Sequence, residues 1–152
     1  MSSPNSALRK CTEELNHPRV TVKAKGRAAT FLNPERAKIK KIDVDCWLSS
    51  TKTPKADYIV CKPDVVDVIV ELKGKDILHA VEQIVATYAH WKETASCAAK
   101  VGGLIVFTRS PKRSALLDTV KATLLVKHKL WLEMGKNGLK DYEFQTFTGV
   151  NS

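Results

Sequence analysis

The stretch Ala56–Lys73, reading ADYIVCKPDVVDVIVELK, constrains the fold more than any other part of the chain. ADYIV (56–60) and VVDVIVELK (65–73) are strand-like runs, and CKPD (61–64) between them is a tight connection, so the pair predicts a β-hairpin. From about Asp76 to Thr94 the apolar residues Ile77, Val81, Ile84, Tyr88 and Trp91 recur at steps of three and four, which predicts an amphipathic helix. VGGLIVFT (101–108) then reads as a buried strand. A hairpin, a helix and a further strand in this order call for a sheet with a helix laid across it.

Alternation splits the second hairpin strand into two faces. Val66, Val68, Val70 and Leu72 point one way; Asp67, Ile69, Glu71 and Lys73 point the other. Glu71 and Lys73 are therefore same-face neighbours, roughly 7 Å apart. A turn around Pro63 and Asp64 sets Asp57 opposite residue 70 or 71, beside Glu71. Asp64 itself is at the hairpin tip, roughly 20 Å from Glu71.

Elsewhere, SALRKCTEEL (6–15) predicts a helix with Leu8, Cys11 and Leu15 on one face. RVTVKAK (19–25) and KIKKIDVDCWL (38–48) alternate as strands, and GRAATFLNPE (26–35) between them reads as a loop. Ser110 and Pro111 open a helix over 110–128. KLWLEM (129–134) and DYEFQTF (141–147) read as closing strands around the turn GKNG. The fold class expected is α/β, a mixed central sheet flanked by helices. With 152 residues, 43% of them hydrophobic, and no linker or repeat, residues 1–152 read as one domain.

No apolar stretch approaches the roughly 20 residues of a membrane span, and the N-terminus lacks the apolar core of a signal peptide. A cytoplasmic protein without membrane association is expected. Cys11, Cys46, Cys61 and Cys97 are widely spaced, so reduced and mostly buried thiols are expected rather than a disulfide or a zinc site. Net charge is +9 and uneven. Between His17 and Lys41 eight Lys and Arg residues stand against the single acid Glu35. Such a field suits a polyanion, nucleic acid first among them, or simply solvates one face.

Two carboxylates side by side repel unless a cation lies between them, and a hard divalent ion with oxygen ligands meets that need. Such an ion polarises phosphate and acidifies bound water, and a nearby lysine can orient that water or stabilise a phosphorane. Asp57, then thirteen residues, then Glu71-Leu72-Lys73, in two hairpin strands followed by a helix, resembles the PD-(D/E)XK nuclease superfamily. Ala56 stands where that pattern often has proline. The resemblance implies a restriction-endonuclease-like αβββαβ core over residues 6–108, with one extra strand. It implies that Asp57 and Glu71, with the Leu72 carbonyl, bind Mg²⁺ or Mn²⁺ and that Lys73 is the catalytic lysine. It further implies a role for Gln83 on the following helix and for a glutamate on the first helix, where Glu14 borders the apolar stripe.

The function expected on this basis is metal-dependent hydrolysis of phosphodiester bonds, DNA being the favoured substrate. The cutting would be structure-dependent or weakly sequence-specific, as in resolvases, and a homodimer is compatible with it. Lys23, Lys25, Arg27, Lys38, Lys40 and Lys75 are the expected backbone-phosphate contacts. The competing expectation is a non-catalytic nucleic-acid or protein binder on a nuclease-like fold, with Glu71 and Lys73 a surface ion pair.

Overall fold

The computed structural model describes residues 4–72, 76–94, 98, 100–108, 115–138 and 140–149. Its elements in chain order are α1 (Pro4–Lys10), β1 (Thr12–Leu15), β2 (Arg19–Ala24), β3 (Arg27–Leu32), β4 (Ile39–Asp43), α2 (Val44–Trp47), β5 (Tyr58–Lys62), β6 (Val66–Glu71), α3 (Ile77–Trp91), β7 (Val101–Phe107), α4 (Ala115–His128), β8 (Leu130–Lys136) and β9 (Tyr142–Glu143), followed by a 3₁₀ turn (Phe144–Thr148). The class is α/β, as expected.

Six strands form the main sheet in the order β1-β4-β5-β6-β7-β8. The β1–β4, β4–β5 and β5–β6 pairings are antiparallel, and β6–β7 and β7–β8 are parallel, each of these last two bridged by a helix. A smaller sheet, β2-β3-β9, packs on the other side. One core, containing Ile59, Ile69, Ile84, Trp91, Ile105 and Leu124, joins the main sheet to α3 and α4. The other, containing Phe31, Val60, Val68, Val70, Leu104 and Phe147, joins it to the small sheet and the 3₁₀ turn. Strand β6 is thus covered on both faces, and all six of its residues are buried.

The predicted hairpin, α3 and β7 are present, with the strand of the hairpin's first arm starting at Tyr58. The alternation of β6 is as read, but neither face meets solvent. The loop expected over 26–35 is instead strand β3 as far as Leu32. Lys25 and Gly26 both take positive φ, 53° and 78°, and close a two-residue β2–β3 turn. That turn twists with the strands it joins, which is why it is favoured in hairpins. The helix expected over 6–15 ends at Lys10. Thr12 donates its hydroxyl to the Leu8 carbonyl at 2.6 Å, and the chain then turns into β1. There Glu13 stands opposite Lys41 and Glu14 opposite Lys40, cross-strand pairs of opposite charge that favour the strand. The strand expected over 38–48 stops at Asp43, whose side chain caps α2 by accepting from the Cys46 amide at 3.1 Å. DYEFQTF is a strand only at Tyr142 and Glu143. The predicted cap Ser110 and Pro111 lie outside the described residues.

The expectation of reduced thiols is overturned at one pair. Cys11 and Cys46 form a disulfide, their Cα atoms 5.6 Å apart. Cys11 follows α1 and Cys46 is on α2, and the bond from the Asp43 amide to the Cys11 carbonyl (3.0 Å) brings these segments together. Nothing in a separation of 35 residues signals this contact. Cys61 is a buried thiol that hydrogen-bonds Asp67, and Cys97 lies outside the described residues. Among the described residues no helix is long and apolar enough to cross a membrane.

A bond closing a loop of this length restricts the unfolded chain by about 4 kcal/mol. Reduction, or Cys11→Ser with Cys46→Ser, is expected to lower the urea midpoint by roughly 2 M. Equilibrium unfolding with and without a phosphine reductant measures this, and coincident curves would show that the bond contributes nothing.

Candidate active site at the carboxyl end of the central strands

The β5–β6 register sets Tyr58 opposite Val70 and Lys62 opposite Val66. Carried one residue outward, it brings Asp57 level with Glu71, one of the two positions the sequence allowed. Asp57 is held on both sides. Its amide donates to the Val70 carbonyl at 3.0 Å, and its carbonyl accepts from the Val44 amide at 3.1 Å. Its carboxylate Oδ2 accepts from the Leu72 amide at 2.7 Å, so it lies against the backbone that follows Glu71. Glu71 is 1% exposed, and both its carboxylate oxygens are sealed from solvent. Lys73 and Lys75 lie outside the described residues.

Gln83 comes to this end from α3, but its amide works on the backbone. Gln83 Nε2 donates to the Lys55 carbonyl at 2.9 Å. One turn later, Thr87 Oγ1 accepts from the Ala56 amide at 2.8 Å. Two side chains of one helix therefore fix the two residues that precede Asp57. The oxygen of the Gln83 amide is buried, with no hydrogen-bond partner among the described residues.

The acidic character of this end extends beyond the pair. Burial raises the pKa of the Tyr58 phenol, and the charges of Asp43, Asp57 and Asp45 raise it further. Asp43 and Asp45 flank the start of α2, and Asp45 is 4.0 Å from the Lys55 ammonium. Among the described residues no group of three or more His, Cys, Asp or Glu side chains could share a metal ion. The acids at this end are Asp57 and Glu71, level across the β5–β6 hairpin, with Leu72 next in the chain. Carboxylate oxygens are ligands of the kind a hard divalent cation takes.

Glu14 is remote from this pair. It is on β1 and pairs with Lys38 at 3.8 Å. It stands opposite Lys40, which stands opposite Cys61, which stands opposite Asp67. Glu14 is thus three strands across, roughly 14 Å, and four residues along, roughly 13 Å, from Glu71. The expected helical placement fails because α1 ends before it.

The basic residues divide into two sets. Lys23, Lys25 and Arg27 are on the β2–β3 hairpin. Arg27 Nη1 reaches the Leu72 carbonyl at 3.4 Å and its Nε donates to Thr108 Oγ1 at 2.9 Å, so this hairpin meets the end of β6. Lys38 and Lys40 are directed toward Glu14 and Asp67 on the helical face, away from the hairpin.

That helical face holds a groove of about 680 Å³, floored in part by Glu14, Lys40, Cys61, Asp67 and Trp91. Asp67 is 2% exposed, and its Oδ2 accepts from Trp91 Nε1 and the Ala98 amide, both at 2.8 Å. Burial raises its pKa, opposed by those hydrogen bonds, by one from Cys61 and by the Lys40 charge. The sequence shows Asp67 on the face shared with Glu71 but gives no sign that this face is buried.

No protein-family model, curated protein or solved structure matches the chain. The geometry of its own residues therefore carries the functional reading.

Since the folded state raises the pKa of Asp67, its contribution is fully present below the ordinary carboxylate pKa of about 4 and is lost as pH rises through the folded value. Asp67→Asn keeps an oxygen for Trp91 and has no charge to bury. Relative to the parent, its urea midpoint should rise between pH 3.5 and pH 7. Parallel midpoint profiles would show that burying the Asp67 charge carries no cost.

Proposed function

We propose that the chain is a metal-dependent nuclease that hydrolyses phosphodiester bonds, DNA being the favoured substrate. The observation that carries this reading is the cross-strand register of Asp57 with Glu71, at the end of the sheet where a basic hairpin also meets β6. The pattern of these residues resembles the PD-(D/E)XK superfamily, and the meander β4-β5-β6, the crossover helix α3 and the parallel strand β7 agree with that resemblance.

Asp57, Glu71 and the Leu72 carbonyl would hold Mg²⁺ or Mn²⁺. When bound, that ion supplies charge to the phosphate and acidifies a coordinated water. Lys73 is assigned to orienting the attacking water and offsetting charge on the phosphorane. Gln83 and Thr87 are positioning residues that set the backbone entering Asp57. Arg27, beside the Leu72 carbonyl, adds positive charge where a phosphate would arrive. Asp43 and Asp45 deepen the negative field that draws a cation.

A second reading has its own support. Glu71 is sealed beneath the helical layer, and an acid so enclosed also suits a purely structural role. On that reading the chain binds nucleic acid through the basic hairpin and cuts nothing.

Incubation with branched, duplex and single-stranded DNA and with RNA, in Mg²⁺ or Mn²⁺, separates the two. The nuclease reading expects cleavage that falls roughly 100-fold or more in Asp57→Ala and in Lys73→Ala. Binding with no cleavage by the parent protein, unchanged in both variants, would support the binder instead.

A further inference from the structure

The β2–β3 hairpin is fastened to four consecutive strands of the main sheet. The Tyr58 hydroxyl, at the start of β5, donates to the Lys23 carbonyl at 2.9 Å. Arg27 reaches the Leu72 carbonyl after β6 and the Thr108 hydroxyl after β7. Asn137, after β8, accepts from the Ala28 amide at 3.0 Å through its side chain and donates its own amide to the Phe107 carbonyl at 2.8 Å. The hairpin tip is therefore fixed at the end of β6, beside Leu72, by its backbone and by Arg27. The ammonium groups of Lys23 and Lys25 take no part in this fastening, and both residues are exposed.

Lys25 also occupies a backbone position that does not suit it. Its φ of 53° lies in the left-handed region, where Gly and Asn are at ease and lysine is not. A lysine held there keeps its charge at the tip at a cost to the turn, and such a cost is a pointer to function. Lys23, Lys25, Gly26, Arg27 and Asn137 line a recess of about 520 Å³.

We propose that this recess is a phosphate clamp. It takes a backbone phosphate of a polynucleotide, with Lys23 and Lys25 as the contacts and Arg27 as the residue that positions the tip beside Leu72. The choice of a polynucleotide rests on the nuclease reading above. The clamp needs neither a metal nor catalysis, so it is tested without either. The other basic set, Lys38 and Lys40, carries the same charge on the other side of the sheet and does not belong to it.

The test is fluorescence anisotropy of labelled duplex and single-stranded DNA with the full chain in EDTA, over a series of salt concentrations. Each phosphate contact contributes about 0.9 to the slope of log K against log salt on duplex DNA. Lys23→Gln with Lys25→Asn should lower that slope by about 2, and Lys38→Gln with Lys40→Gln should leave it unchanged. Asparagine suits the left-handed turn, so the first variant should unfold at an equal or higher urea concentration, which separates lost binding from lost folding. Equal slope losses in the two variants, or none in the first, would overturn the clamp. So would tighter binding of the parent to phosphatidylserine vesicles than to DNA, through the same two lysines. Absence of Mg²⁺-dependent cleavage alongside the expected slopes would sink the nuclease reading and leave the clamp standing.

Discussion

Strand β6 is covered on both faces, and this burial governs the rest of the structure. Every polar group placed on such a strand must be satisfied inside the protein, because unpaired polar atoms there are costly. The strand nonetheless carries two acids, Asp67 and Glu71, four residues apart on the face toward α3. Asp67 is answered by the Trp91 indole and the Ala98 amide. That pairing anchors the last turn of α3 and the chain just before β7 onto the sheet. Gln83 and Thr87, higher on the same helix, bond the segment that enters β5. One helix thus bonds the start of β6 and the segment that enters β5, at opposite ends of the hairpin whose ladder aligns Asp57 with Glu71.

The two faces of the main sheet carry different work. On the helical face, positive charge is matched by acid: Lys40 by Glu14 and Asp67, Lys38 by Glu14. On the face toward the small sheet, Lys41 reaches the Thr21 carbonyl and Lys62 pairs with Glu35, while Lys23 and Lys25 extend past the sheet's end. A stretch that reads in sequence as one basic field is therefore divided by the sheet. Strand β4 carries the end of that stretch, sending Lys40 and Lys41 to opposite sides. Lys23 and Lys25 keep their charge exposed at the hairpin tip, near the end of β6.

The parts of the fold legible in the sequence are those whose signals are local. The hairpin, α3 and β7 announce themselves through alternation, helical spacing and an unbroken apolar run. The β5–β6 register is readable to within one residue because the Pro63–Asp64 turn limits it. The misread parts depend on distant partners. Strand β1 is a strand because Lys40 and Lys41 stand opposite its glutamates; alone, its apolar spacing favours a helix. Strand β3 was hidden because Lys25-Gly26 is not one of the usual hairpin pairs, although its glycine was a usable signal. The disulfide joins segments brought together only by β1–β4 pairing and the α2 cap. Glu14 left the site for the same reason: its assignment rested on the helix that β1 replaced.

Gln83 shows how a residue can be found for one reason and matter for another. The resemblance to the nuclease superfamily, with its glutamine on the helix after the hairpin, drew attention to it as a site residue. Its side-chain nitrogen instead holds the Lys55 carbonyl, two residues before Asp57. Lys55 in turn gives its ammonium to the Leu48 and Thr51 carbonyls at 3.1 and 2.9 Å, which closes the loop after α2. The α2 segment returns to Asp57 through the Val44 amide. Asp57 is consequently set by a closed circuit of backbone contacts that runs through α3, the 48–55 loop and α2, and the Cys11–Cys46 bond ties that circuit to α1. An acid held this firmly has little freedom to follow a moving ligand. Whatever it binds must fit the place the backbone has already given it, which is the condition a preorganised charge site requires.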